Sequence, residues 1–139
     1  MPIKWRDEYA TGNSVIDFDH KMLINMINDL ESRIACGAKR KEIAHVFDQL
    51  ASYVDKHFAR EEGIFMPTEY PYKEEHLSKH QEITKTVGDI VTLYKKSPKE
   101  VDLQKVLAFL MTWLNQHILK TDMGYAAYLP DANGSFAAA

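Results

Sequence analysis

The segment from His57 to His80 holds two pairs of side chains able to bind a metal, His57 with Glu61 and His76 with His80, each spaced i, i+4. On a helix that spacing puts both members of a pair on one face. A Pro-containing break between Met66 and Pro71 separates the pairs, and two helices joined there run back antiparallel, aiming both pairs at one interior. His20 lies on the apolar stripe of Ile16, Leu23, Ile27, Leu30 and Ile34, and His117 on that of Leu103, Val106, Leu110 and Trp113. One His on an apolar face is ordinarily a hydrogen-bonded core residue. Here five of six histidines fall on core faces together with Glu61, a carboxylate too costly to bury unless paired or bound to a cation. The set therefore reads as a metal centre. His45 points about 120° away from His57 and stays outside it.

Asp122 follows His117 by five residues, which in a straight α-helix points it about 140° away. It joins the set only if the last turn unwinds or bulges, as Gly124 nearby permits; otherwise it is an exposed residue past the helix end. Five imidazoles and two carboxylates exceed what one tetrahedral zinc accepts, and Cys36, the only cysteine, rules out a thiolate cluster or an internal disulfide. Two octahedral ions offer roughly twelve positions; the side chains and a bridging oxo or hydroxo group fill all but about one. Carboxylate-rich diiron bundles use Glu-x-x-His pairs, absent from these stripes. A His-rich site carries less negative charge and leans toward reversible binding over substrate oxidation.

Four amphipathic stretches must position these residues. Apolar periodicity and punctuation predict helices over about 16–36, 39–65, 71–95 and 98–120, after an extended arm over 1–15 anchored by Trp5 and Tyr9. Gly37 is a natural stop for the first helix. Ser97-Pro98-Lys99-Glu100 has the form of an N-cap, first-turn Pro and capping-box Glu opening the fourth. Glu62, one step round from Glu61, reads as solvated. The expected fold is all-α: an antiparallel up-down-up-down four-helix bundle. A single domain over 1–131 is followed by a small-residue tail, 132–139, of vector origin on one reading.

A length of 139 residues suits one domain, and a net charge of -3 with acids and bases interspersed leaves no basic footprint for nucleic acid. The first residues lack a signal-peptide core, and charges interrupt each apolar run before transmembrane length, so no membrane insertion and a cytoplasmic location are expected.

With these residues laid out, the chain resembles the hemerythrins, specifically the single-domain bacterial ones. The resemblance spans nearly the whole chain: Trp5, Gly12, Ile16-Asp17, His20, His57-Phe58-x-x-Glu61-Glu62, Met66, Tyr70-Pro71, His76-x-x-x-His80 and His117-x-x-x-x-Asp122. It implies a centre of two iron ions, one bound by His76, His80 and His117 and the other by His20 and His57. Glu61, Asp122 and an oxo or hydroxo group would bridge them, and dioxygen would bind at the open position of the two-histidine iron. Asp19 stands where Gln is expected before the first ligand, which alters hydrogen bonding to His20. Leu23 and Trp113 share the ligand faces, and Phe58, Leu114 and Leu119 complete, by similarity to the family, an apolar pocket that keeps out water and anions.

The function this implies is oxygen transport, storage or delivery in a bacterium by a monomer that is not an enzyme and passes oxygen to an oxygen-consuming acceptor. The alternatives at the same centre are sensing of oxygen, nitric oxide or redox state, and reduction of peroxide or nitric oxide. No additional acid or substrate-binding cluster favours an enzyme.

Overall fold

In the computed structural model the described residues are 3–118 and 123–129. Four long helices, α1 (Ser14–Ala35), α2 (Arg40–Phe65), α3 (Lys73–Lys96) and α4 (Leu103–Gln116), precede a one-turn helix, α5 (Met123–Ala126). α1 packs on α2 and α4, and α2 on α3. The connections are short, and the four long helices form the expected antiparallel bundle. The described residues contain no strand.

The termini of α1 follow from local chemistry. Asn13 caps its start, its Oδ1 accepting from the amides of Val15 and Ile16 at 3.0 and 3.1 Å. Gly37, at φ +71°, takes the left-handed turn at its end, where Gly37 N–H reaches the Ile34 carbonyl and Ala38 N–H the Arg33 carbonyl. Replacing Asn13 by Ala should cost about 1 kcal/mol, readable as a lower denaturation midpoint at unchanged m-value.

α1 starts at Ser14, two residues before the expected position. The larger correction concerns α4. Pro98–Glu100 is a separate 3-10 turn, Val101 is extended, and Asp102 is the N-cap, accepting from Gln104 and Lys105 amides at 3.0 and 3.2 Å. Both Ser97 and Asp102 carry capping chemistry, and the start used places Val106, Leu107, Leu110 and Leu114 in the core. The arm is pinned as expected: Tyr9 is buried, Trp5 meets it edge-on at 5.7 Å, and Asn28 exchanges two hydrogen bonds with the Ile3 backbone. It also contains a 3-10 turn, Asp7–Tyr9.

The interior has two apolar clusters. The larger takes in Leu23, Ile27 and Leu30 from α1, Phe47, Leu50 and Val54 from α2, Val91 and Tyr94 from α3, and Leu107, Leu110 and Leu114 from α4. The smaller joins Ile16, Phe65, Tyr70, Tyr125 and Leu129. Along α1, His20 falls between Ile16 and Leu23; along α2, Glu61 falls between Phe58 and Phe65. On α3, His76 and His80 lie between Tyr70 and Val87. The polar residues thus occupy a layer with an apolar cluster at either end. Tail residues 132–139 lie outside the described residues.

Candidate metal centre

His20, His57, Glu61, His76, His80 and His117 are all buried, and the structure brings their side chains together. α1 supplies His20, α2 supplies His57 and Glu61, and α3 supplies His76 and His80. His117 lies just past α4, where the chain widens into a π turn over His117 and Ile118. Asp122 and Leu119 lie outside the described residues.

Glu61 is the hub. Its Oε1 faces Nε2 of His76 at 2.8 Å and of His80 at 3.0 Å. Its Oε2 faces Nε2 of His57, His117 and His20 at 2.8, 3.4 and 3.8 Å. Burial alone would push its carboxyl up, but the imidazoles of His117, His20 and His57 hold it well below its ordinary value of 4.5, so Glu61 is an anion. The donors form two overlapping groups, His20, His57, Glu61 and His117, and Glu61, His76, His80 and His117, each with its ligand atoms within 4.8 Å of one another.

This donor set fits metal ions. Nδ1 of His57 lies 3.1 Å from Asp19 Oδ2, and Nδ1 of His80 lies 2.8 Å from Glu62 Oε2. A neutral imidazole has one N–H, and carboxylates claim it at Nδ1. With Nδ1 so engaged, Nε2 of His57 and of His80 meets Glu61 either with a proton, the state that lowers its carboxyl, or with a lone pair directed at a bound cation, and His57 and His117 Nε2 lie only 3.4 Å apart. Glu61 Oε2, fully buried, has no well-directed hydrogen bond. So many donor atoms converging in one dry volume suit a bound cation. With imidazole and carboxylate donors and no thiolate, the site suits first-row divalent metals, iron among them.

The surrounding contacts add one partner and correct one expectation. Asp19, the departure from Gln, serves His57 on the neighbouring helix, and also binds Tyr53 and Arg60. Glu62, expected to be solvated, accepts from His80. Tyr70 Oη approaches His76 Nδ1 at 3.5 Å. The α2 geometry explains Glu62: one step beyond Glu61 it faces α3 on the flank of the ligand stripe. Its place in the His-Phe-x-x-Glu-Glu run was the available signal.

Burial would raise the Asp19 carboxyl, but hydrogen bonds from His57, Arg60 and Tyr53 outweigh it and hold it far below 3.8. For Tyr53, burial first and then the Asp19 bond push the hydroxyl from 10.0 up to about 12. The fold favours the protonated phenol, so its contribution is complete below pH 10 and is lost as pH rises toward 12. In a tyrosinate absorbance titration of the seven tyrosines, Tyr53→Phe should remove a late-ionising phenol.

Among the pocket residues, Leu23 and Leu114 are fully buried, and Phe58 stacks on His80 with ring centres 3.8 Å apart and planes 6° apart. Trp113 stacks on His117 at 5.3 Å. A cavity of about 220 Å³ beside these rings is lined by Ile83 and Trp113 but also by Lys79, Glu82 and Gln116.

Comparison with known proteins agrees with this geometry. Residues 11–129 match the family described as "Hemerythrin HHE cation binding domain". A bacteriohemerythrin of Pseudomonas aeruginosa (strain LESB58) is 32% identical over 121 residues, 87% of this chain and 77% of the relative. A bacteriohemerythrin of Methylococcus capsulatus is 30% identical over 122 residues, 88% of this chain and 92% of the relative. The crystal structure of a wild-type hemerythrin superposes with a TM-score of 0.83 at 29% identity, covering 91% of this chain and 96% of that one. With a four-helix bundle built around a buried His/Glu cluster that can hold metal, the chain belongs to the hemerythrin family.

Proposed function

We propose that this chain binds dioxygen reversibly at a non-haem diiron centre and serves in the transport, storage or delivery of oxygen in a bacterium. The observation that carries the reading is the pair of overlapping donor groups that share Glu61. His20 and His57 would hold one iron and His76, His80 and His117 the other, with Glu61 and Asp122 as protein bridges. When bound, the iron pair supplies the electrons and the open coordination position that dioxygen needs.

The protein's part is to orient and to exclude. Asp19 and Glu62 fix the rings of His57 and His80 through Nδ1. Leu23, Leu114 and Phe58 pack beside the ligands and keep that side dry, which disfavours water and anions as competitors. No additional general acid or substrate-binding cluster appears in the reading, which therefore stays with binding rather than turnover. We place the protein in the cytoplasm as a monomer, handing oxygen to a consuming acceptor; no described helix is long and apolar enough to cross a membrane.

The test is anaerobic reduction followed by iron analysis and visible spectra before air, after air, and after oxygen is removed again. The expected result is two irons per chain and a charge-transfer band that comes and goes with oxygen. Irreversible oxidation would favour sensing, rapid turnover with an electron donor would favour peroxide or nitric oxide reduction, and a chain without iron would end the diiron reading.

A further inference from the structure

Asp19, Tyr53 and Arg60 form a polar cluster beside the centre that lies outside the ligand set. The Arg60 guanidinium grips Asp19 with two parallel bonds, Nε to Oδ2 and Nη2 to Oδ1, both 2.7 Å. Tyr53 Oη donates to Oδ1 at 2.7 Å, and the guanidinium lies 5.5 Å from the Tyr53 ring centre. The same carboxylate accepts from His57 Nδ1 at 3.1 Å. The other half of the centre is built differently. Glu62 accepts from His80 Nδ1 at 2.8 Å, and among the described residues no Lys or Arg lies within ion-pair reach of it.

A carboxylate that accepts an imidazole N–H makes the ring a stronger metal donor. Stronger donors stabilise the oxidised metal. A carboxylate already shared with a bidentate guanidinium and a phenol has less charge to lend. We propose that Arg60 and Tyr53 are positioning residues that temper Asp19, so that His57 is held in place yet kept a weaker donor than His80, raising the reduction potential of the centre. The tempering favours the reduced form that takes up oxygen and slows loss to the oxidised one. It rests on the diiron reading above.

The test measures iron per chain and the midpoint potential, by anaerobic spectroelectrochemistry, for the wild type and four variants. Arg60→Gln leaves Asp19 without its counter-charge and should lower the potential. Tyr53→Phe should lower it less, and Arg60→Lys, which restores charge but not the fork, should fall between wild type and Arg60→Gln. Asp19→Asn removes the charge and should raise it, while weakening iron retention by roughly 10–100-fold. A merely structural cluster would loosen His57 in every variant and move all potentials in one direction. Shifts of the same sign in Arg60→Gln and Asp19→Asn, or no shifts, in a series whose wild type holds two irons overturn this inference alone. A wild type without two irons overturns the diiron reading and the inference with it. If Arg60→Gln does not fold, Tyr53→Phe decides by itself, an unchanged or raised potential being the overturning result.

Discussion

Glu61→Gln is expected to empty the centre. Glu61 is fully buried, both its oxygens face imidazole Nε2 atoms, and it belongs to both donor groups. A glutamine of the same shape removes the anion that would offset the proposed iron pair and turns an N–H₂ group toward nitrogens that would otherwise bind metal. Removing an outer partner of a metal ligand costs roughly 10–100-fold in affinity, and losing a shared ligand should exceed that. Iron analysis should fall from two per chain to near none. Because a metal that binds only the folded state stabilises it by mass action, iron should raise the melting temperature of the wild type and leave that of Glu61→Gln unchanged. A variant that keeps both irons would overturn the bridging role proposed for Glu61.

Phe65→Ala is expected to cost about 3–5 kcal/mol, as for other aromatic truncations in cores. Phe65 has no exposed surface and lies at the centre of the smaller cluster, 5.8 Å from Tyr70, 5.4 Å from Tyr125 and 4.6 Å from His76 between ring centres. Truncation therefore leaves a void against a candidate ligand. Phe47→Ala is the comparison: Phe47 is equally well buried but packs on Tyr94 in the larger cluster, away from the histidines. Urea unfolding should show similar losses for both, a large part of the roughly 5–15 kcal/mol that holds a domain together. Iron retention should fall in Phe65→Ala and hold in Phe47→Ala. Equal iron retention in the two would show that the smaller cluster supports the fold without shaping the centre.

How far these features could be read in advance differs from element to element. The faces of α1 to α3 were legible because apolar residues and ligands recur there at helical spacing, so that burying Leu23, Leu50 or Val87 also buries His20, His57 or His80. The start of α4 was not. Ser97 and Asp102 each have a side chain able to cap a helix, and sequence-local chemistry does not rank two caps so close together. Packing ranks them, because beginning at Leu103 commits Leu107 and Leu110 to the core. A bulge near His117 was required only if Asp122 joins the site; the structure has a π turn over His117 and Ile118, and Asp122 lies outside the described residues.

The partners of the ligands were the least legible. Glu62 is 18 residues from His80, and Asp19 is 38 from His57 and 41 from Arg60. Helical periodicity says which residues share a face of one helix, but nothing about which flank residue of the next helix lies opposite. For that reason Glu62 read as solvated, and nothing in the sequence tied Asp19 to His57 or Arg60.

The sequence by itself therefore determined that four amphipathic stretches carry imidazoles on their buried stripes, because that follows from residue type and a period of 3.6, while iron entered through the family resemblance. Only the tertiary structure decided which nitrogen meets which carboxylate and that Asp19 is shared among His57, Tyr53 and Arg60. Those pairings depend on the rotation and offset of one helix against another, which the packing of both apolar clusters sets together.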